Sequence, residues 1–194
     1  MRPFMLVALC ALPACDSASD LLDDPDAGPA EVVLEQPDDQ TLAELTADDT
    51  AAICAALFAA VDRQVPAATK CVIVGYTAIG TGSMAEQAAA CAEAADTCEG
   101  LVRLGQQSLP PVTPGECGLF KGDTSQCTTT VGELRACLDL MADASVGAIR
   151  ETLTCELLAT TEVPTITPPP AVVPEGAEEC AKVRRTCPGV FEEN

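Results

Sequence analysis

Twelve cysteines in 194 residues constrain this chain more than any other feature. Cytosolic thiols are kept reduced, so this cysteine content is typical of a protein that folds in an oxidising compartment and is cross-linked by disulfides. The chain also has few large side chains for a core, with four Phe, one Tyr and no Trp. Because a core of Ala, Val, Leu and Ile buries less apolar area per residue, disulfides worth about 2–4 kcal/mol each would compensate.

The amino-terminal residues have the pattern of an export signal. A basic Arg2 precedes an apolar run from Phe4 to Leu12, and the small residue Ala14 stands immediately before Cys15. The motif Leu12-Pro13-Ala14-Cys15 resembles the lipobox of bacterial lipoproteins, with Pro13 where Ala, Ser or Thr is usual. The resemblance implies cleavage before Cys15 by signal peptidase II and lipidation of Cys15.

Cleavage at that position leaves an even number of cysteines. Cys10 would leave with the signal peptide and Cys15 would carry the lipid, so that ten cysteines remain for five disulfides. A secretory signal cut after Ala14 without lipidation would leave eleven, one of them unpaired. An uncleaved anchor would need roughly 20 apolar residues, more than this run provides. The ten disulfide candidates are Cys54, Cys71, Cys91, Cys98, Cys117, Cys127, Cys137, Cys155, Cys180 and Cys187.

The formal charge of −20 is concentrated near the amino terminus. Residues 16–49 contain twelve acidic side chains and no Lys or Arg. Residues 15–45 show no persistent helical or strand period, which predicts a disordered acidic tether between a signal peptide at 1–14 and a cysteine-rich helical domain at 46–190. Because such a surface repels phosphate backbones, nucleic acid is excluded as a partner.

The periodicity after residue 46 predicts an all-α fold, a disulfide-stapled helical bundle of four to five helices. Capping-box patterns mark three helix starts, at Thr46, Ser83 and Thr130, and Gly105 is placed as a helix end. The predicted buried stripes of the three capped helices are, in chain order, Cys54, Leu57, Phe58 and Val61; Met84, Ala88, Cys91, Ala95, Cys98 and Val102; and Leu134, Cys137, Met141, Ala144 and Ala148.

The segments between the capped helices are less clearly marked. Residues 67–80 carry a β-branched run that suits a strand, but no strand-like partner lies nearby, so a short buried helix is favoured. A loop from Gln106 to Thr129 follows, with Cys117 to Cys127 closing it. Ser145-Val146-Gly147 either kinks the third capped helix or begins a separate one. A proline-rich extended segment then precedes a short final helix around Ala177 to Thr186.

Disulfide connectivity is predicted from the turn at Gly80–Gly82, about which the flanking helices would fold back. The favoured pairs are Cys71–Cys91, Cys54–Cys98 and, in the second half, Cys137–Cys155, and the alternative Cys54–Cys91 with Cys71–Cys98 stays open.

The sequence lacks the residues of common catalytic and metal centres. It has no His, which removes Ser-His-Asp and Cys-His catalysis, the usual general base and most zinc sites. The cysteine spacings match neither the C-x2-4-C hooks of zinc nor the C-x-x-C of thiol redox enzymes. We therefore predict no enzymatic activity, no cofactor and no metal.

Three short patterns are interpreted structurally. Gly80 to Ala85 matches G-x-G-x-x-A, but a dinucleotide fold needs repeated strand–helix units, so a helix–helix turn is favoured. Residues 24–35 space acids like an EF-hand loop, but proline stands where such a loop requires glycine. Lys182, Arg184 and Arg185 form the basic cluster, which is predicted to line the solvent face of the last helix.

The chain resembles the uncharacterised cysteine-rich lipoproteins of myxobacteria. The resemblance rests on the lipobox, the acidic tether, the run from Cys127 to Leu138 and the closing Glu179-Cys180 to Cys187-Pro188. It implies an envelope lipoprotein and brings no catalytic residues. We therefore expect a non-catalytic protein, held to the outer membrane or cell surface by lipid at Cys15, that is structural or binds an envelope or extracellular protein. The alternative is a small-ligand or cation-binding lipoprotein, and a hydrolase is the third possibility.

Overall fold

The computed structural model describes residues 31–112, 114–159 and 170–191. Within these ranges the chain forms five α-helices joined by loops and short 3₁₀ turns, and no β-strand. The predicted all-α class is confirmed. The helices are α1 (Ala47–Gln64), α2 (Ala67–Thr77), α3 (Met84–Arg103), α4 (Val131–Thr152) and α5 (Glu178–Thr186), and the 3₁₀ turns are Leu42–Glu44, Cys155–Ala159 and Pro188–Val190.

Three of these helices begin at the predicted capping boxes. In each, the cap hydroxyl accepts a backbone N–H three residues later, and the acidic side chain there accepts the N–H of the cap. Two backbone donors without a partner inside the helix are thereby satisfied, and one such cap is worth about 1 kcal/mol. The pairs are Thr46 with Asp49, Ser83 with Glu86, and Thr130 with Glu133.

A glycine just after α3 marks the end of this helix. Gly105 has φ 67°, a left-handed conformation that glycine adopts without a steric penalty. Its N–H donates to the carbonyl of Val102, while the N–H of Gln106 donates to that of Leu101. These two bonds are the Schellman arrangement, which satisfies carbonyls that the helix leaves unpaired. The predicted helix end at Gly105 is confirmed.

The segment that was ambiguous between strand and helix is α2, and it packs along α3. The two helices come closest where Gly75 meets Cys91, since a Cβ on Gly75 would lie 2.5 Å from the carbonyl oxygen of Cys91. Cys71, one turn earlier, therefore lies opposite Cys98, and these two form the disulfide. The favoured Cys71–Cys91 pair is wrong because Cys91 packs against Gly75, one turn after Cys71 in α2. Cys71 reaches Cys98 instead, two turns after Cys91 in α3, so Cys71–Cys98 of the alternative set is confirmed.

The five disulfides are Cys54–Cys117, Cys71–Cys98, Cys91–Cys155, Cys127–Cys187 and Cys137–Cys180. Three further predicted pairs are therefore wrong, namely Cys54–Cys98, Cys54–Cys91 and Cys137–Cys155, and Cys117 does not bond Cys127. The reason is helix pairing. α1 packs against α4, α3 packs against the 3₁₀ turn after α4, and α4 packs against α5. Each cysteine consequently meets a partner that is distant in sequence.

The buried faces are rotated slightly from the predicted stripes. In α1 the buried residues include Ile53 and Ala60, whereas Cys54 and Phe58 are half-buried. α4 continues as one helix through Ser145-Val146-Gly147, so no separate helix begins there. An α-helix has 3.6 residues per turn, so the buried face of a helix as long as α4 drifts from Met141 to Ser145 and Ile149 instead of following Ala144 and Ala148.

The amino-terminal boundary of the folded domain lies earlier than predicted. Residues 31–45, which we call the strap, were expected to belong to the disordered tether, but Val32 and Leu42 are fully buried in the core. A single antiparallel bridge joins Thr41 to Thr130. The strap has no helical or strand period because its burial depends on contacts with α1 and α4. Residues 1–30 and 160–169 of the predicted signal, tether and proline-rich segment lie outside the described residues.

Candidate functional site

The predicted lipidation residue, Cys15, lies outside the described residues, and its modification stays a prediction. All ten cysteines from Cys54 to Cys187 are paired in disulfides. Nucleophilic attack and metal ligation by cysteine need a thiolate. In the disulfide-bonded state these cysteines therefore provide cross-links and no reactive centre.

The acidic side chains in the described ranges form no group of three or more potential metal ligands. Several have structural partners instead. Hydrogen bonds from the residues at the start of a helix or turn lower the pKa of Glu44, Asp49 and Glu86. Glu133 has a lowered pKa mainly because Lys182 donates to it, and secondarily because the Thr130 N–H does. These carboxylates are ionised caps of helix and turn starts.

A second set of charged groups joins the strap to α4. Asp139 Oδ1 accepts the N–H of Val32 at 2.7 Å. Burial of this carboxyl raises its pKa, although the hydrogen bond from Val32 opposes the rise. Arg135 Nη1 lies 2.5 Å from Asp38 Oδ1, and its buried Nε has no hydrogen-bond partner among the described residues. Each of these groups is explained by packing of the strap.

Asp62 and Lys70 tie the long loop after α3 to the corner between α1 and α2. Asp62 Oδ1 accepts the N–H of Val112 at 2.7 Å and lies 2.9 Å from Lys70 Nζ. The side chain of Lys70 is only 12% exposed, so its charge is paired where water is scarce. Removing one partner of such a pair leaves the other charge uncompensated and destabilises the fold. We therefore assign the Asp62–Lys70 pair a structural role.

An open groove runs along α3. It consists of two neighbouring cavities of about 420 and 290 Å³ that share Ala90, and we call it the α3 groove. Its lining combines small apolar side chains with the polar side chains of two Thr, two Glu and two Gln, and these lining residues include no nucleophile paired with a base. The lining residues of the larger cavity are Val74, Ala90, Glu93, Ala94, Thr97, Cys98 and Gln107, and those of the smaller are Gly80, Thr81, Gly82, Glu86, Gln87 and Ala90.

The G-x-G-x-x-A pattern is the turn between α2 and α3, as predicted. A helix, and not a strand, precedes it. At the start of α3, Ser83 Oγ accepts the N–H of Glu86 at 3.4 Å, and Glu86 Oε2 accepts the N–H of Ser83 at 2.8 Å. A carboxylate therefore already occupies the helix N-terminus at which a phosphate would bind, which argues against nucleotide recognition.

The basic cluster lies on α5. Lys182, Arg184 and Arg185 are all exposed, as predicted. Lys182 Nζ lies 2.7 Å from Glu133 Oε1 of α4, and the guanidinium of Arg184 lies 5.7 Å from the centre of the Phe191 ring. Two of the three cations thus have contacts that hold the carboxyl-terminal residues to the domain.

Sequence reasoning missed the strap and its partners on α4. One signal was present, because Thr41 and Glu44 have the spacing of a capping box and form one in the structure. The burial of Val32 carries no comparable local signal, since the adjacent Val33 is 66% exposed.

None of the described helices is long and apolar enough by itself to cross a membrane. α1 and α2 reach the required length and hydropathy only when counted together, and their axes are bent by 95°.

The described part of the chain is therefore a cross-linked helical domain with a packed strap and one open groove. No protein-family model matches the chain, and no curated protein or solved structure matches it.

Proposed function

We propose that this protein is a non-catalytic lipoprotein of the bacterial cell envelope, anchored by lipid at Cys15 to the outer membrane or cell surface. The number of paired cysteines carries the proposal. The ten cysteines from Cys54 onwards pair among themselves, which leaves Cys10 and Cys15 to be accounted for. These are the two that a lipoprotein signal would respectively remove and acylate.

The same cross-links support the proposed compartment. Five disulfides in one domain persist in an oxidising environment and are rare where glutathione and thioredoxin keep thiols reduced. The lipobox at Leu12 to Cys15 supplies a route to such a compartment. Both observations support export, and the lipobox adds the anchor.

Replacing Cys15 tests the anchor directly. We expect Cys15→Ser to block processing by signal peptidase II and to remove the lipid, so that the variant incorporates no radiolabelled palmitate and its signal is not removed before residue 15. Cys10→Ser is the matched control, because Cys10 would leave with the signal and its replacement should leave labelling, processing and membrane fractionation unchanged. Normal palmitate labelling and normal processing of Cys15→Ser would contradict the proposal.

The non-catalytic assignment is supported by what the polar side chains do. The chain has no His, and its paired cysteines offer no thiolate. The carboxylates with perturbed pKa cap helices, hold the strap or, in the case of Asp123, accept the N–H of Ser125 in a loop. A domain of this kind is suited to a structural role or to binding another envelope or extracellular protein, and its overall negative charge disfavours nucleic acid.

The α3 groove favours one alternative, a small-ligand or cation-binding lipoprotein. Apolar side chains such as Val74 line it together with the carboxylates of Glu86 and Glu93. Crosslinking in the native envelope followed by mass spectrometry separates the two functions. A reproducible protein crosslink supports the protein-binding role. A small molecule that co-purifies with the domain and is displaced by Ala94→Leu, which fills the groove, supports the alternative.

A further inference from the structure

The strap lies outside every disulfide loop. The first bonded cysteine is Cys54, and each of the five helices contains at least one bonded cysteine. Residues 54–187 are therefore tied together covalently, whereas residues 31–45 are held by non-covalent contacts alone. Loss of those contacts would free the strap without breaking any covalent bond.

The contacts that hold the strap are all non-covalent. Val32 and Leu42 are its two fully buried side chains, and Leu34 and Leu45 pack partly buried against the core. On the side of α1, Gln36 donates to Asp49 and the carbonyl of Glu31 accepts from Arg63. The N–H of Val32 donates to Asp139 at 2.7 Å, and the N–H of Leu42 donates to the carbonyl of Thr129 at 2.9 Å. The ion pair of Asp38 with Arg135 is partly exposed, with 65% of the Asp38 side chain accessible, and such pairs contribute little to stability.

The strap also supplies acceptors for the first two amides of α4. The N–H of Val131 donates to the carbonyl of Gln40 at 2.9 Å, and that of Gly132 donates to the carbonyl of Asp38 at 3.0 Å. Amides in the first turn have no acceptor inside their own helix. Their protection from exchange with solvent therefore reports whether the strap is bound. The Thr130–Glu133 capping box does not involve the strap, so α4 keeps a cap when the strap leaves.

We propose that the strap is a releasable segment, which detaches from α1 and α4 while the disulfide-linked domain stays folded. An extended chain spans about 3.3–3.6 Å per residue, so the 15 residues of the released strap can span up to about 50 Å between the domain and its anchor. This use of the release rests on the proposed lipid anchor at Cys15. The release itself depends on the contacts of the strap with α1 and α4, and it can be measured whether or not Cys15 is lipidated.

Residue-resolved hydrogen exchange on the full mature protein tests the release. In the parent protein, the amides of Val131 and Gly132 are expected to exchange at least about 10-fold faster than those of Cys91 and Ala95 inside α3, because they open with the strap and not with the domain. Val32→Ala is expected to raise their exchange by a further factor of about 10, and Leu42→Ala by about 30, because each removes buried apolar atoms.

The matched control is Val33→Ala. Val33 is the neighbour of Val32 in the strap but is 66% exposed, so its truncation should leave all rates unchanged. The proposal is overturned if the parent's Val131 and Gly132 exchange as slowly as the α3 amides. It is also overturned if Val32→Ala accelerates the α3 amides as much as those of Val131 and Gly132. If a strap variant does not fold, the comparison of the Val131 and Gly132 amides with the α3 amides in the parent protein still tests the proposal.

Discussion

Gly75 is the residue at which α2 and α3 come closest. A Cβ there would lie 2.5 Å from the carbonyl oxygen of Cys91 and 3.0 Å from its sulfur. The first of these atoms belongs to the backbone, so the clash cannot be relieved by turning a flexible side chain. Gly100 in α3 and Gly147 in α4 have no such role, since nothing lies within 4 Å of a Cβ placed on either of them.

Gly75 and Gly147 should therefore respond to alanine with opposite signs. We expect Gly75→Ala to lower the free energy of unfolding by about 1–3 kcal/mol, because the helices must separate to admit the methyl group. Gly147→Ala should raise it by about 0.5–1 kcal/mol, because alanine favours the helix and restricts the unfolded chain. Urea denaturation with the disulfides intact measures both. Stabilisation by Gly75→Ala would contradict the close approach of α2 and α3 at this residue.

At the scale of elements, Glu133 links the start of α4 to α5. Its carboxylate accepts the N–H of Thr130 at 3.1 Å and pairs with Lys182 Nζ at 2.7 Å. These contacts favour the ionised form, which is why its pKa is lowered. A lowered pKa in the folded state stabilises the protein above the unfolded-state value, and this stabilisation is lost as the pH falls through the folded-state value.

The stability of the protein should accordingly decrease as the pH falls below about 4.3, the ordinary value for an unfolded glutamate. Glu133→Gln should reduce the part of this decrease that Glu133 contributes, so that its urea midpoint approaches that of the parent at low pH. The exposed Glu151 caps no helix, and Glu151→Gln is the control. A difference between parent and Glu133→Gln that stays constant from pH 6 to pH 3 would exclude the proposed linkage.

The helix starts could be predicted from the sequence because their signals are local. A capping box needs only Thr46, Ser83 or Thr130 and an acidic residue three positions later, and all three predicted boxes form. The predictions of which helix faces are buried were less accurate. The drift of the helical period over a long helix moved burial to Ser145 in α4, where its hydroxyl accepts the N–H of Val172.

At the scale of the whole molecule, the favoured disulfide pairs were wrong because they were placed about a single helix–helix turn, whereas Cys71–Cys98 of the alternative set is confirmed. Cys91 instead meets Cys155, which lies 64 residues away, and that meeting depends on how the turn after α4 packs on α3. The strap was missed for the same reason. Val32 is buried in the apolar core, and its N–H donates to Asp139 of α4. The residues next to Val32 in the sequence indicate neither contact.

The folded domain and the proposed anchor together use every cysteine from Cys15 onwards. Ten form the cross-links and the proposed lipid takes Cys15, so that no cysteine of the mature chain is left as a thiol. The strap lies between Cys15 and the first disulfide at Cys54, so its proposed release would change how far the domain can stand from the proposed anchor.

The intact mass of the mature protein, recorded before and after reduction and alkylation, tests the lipid anchor and the five disulfides together. We expect a chain that begins at Cys15, carries the mass of a diacylglyceryl group, and takes up no alkyl groups before reduction and ten after it. A mature chain that begins elsewhere without lipid, or two or more cysteines alkylated before reduction, would contradict this expectation.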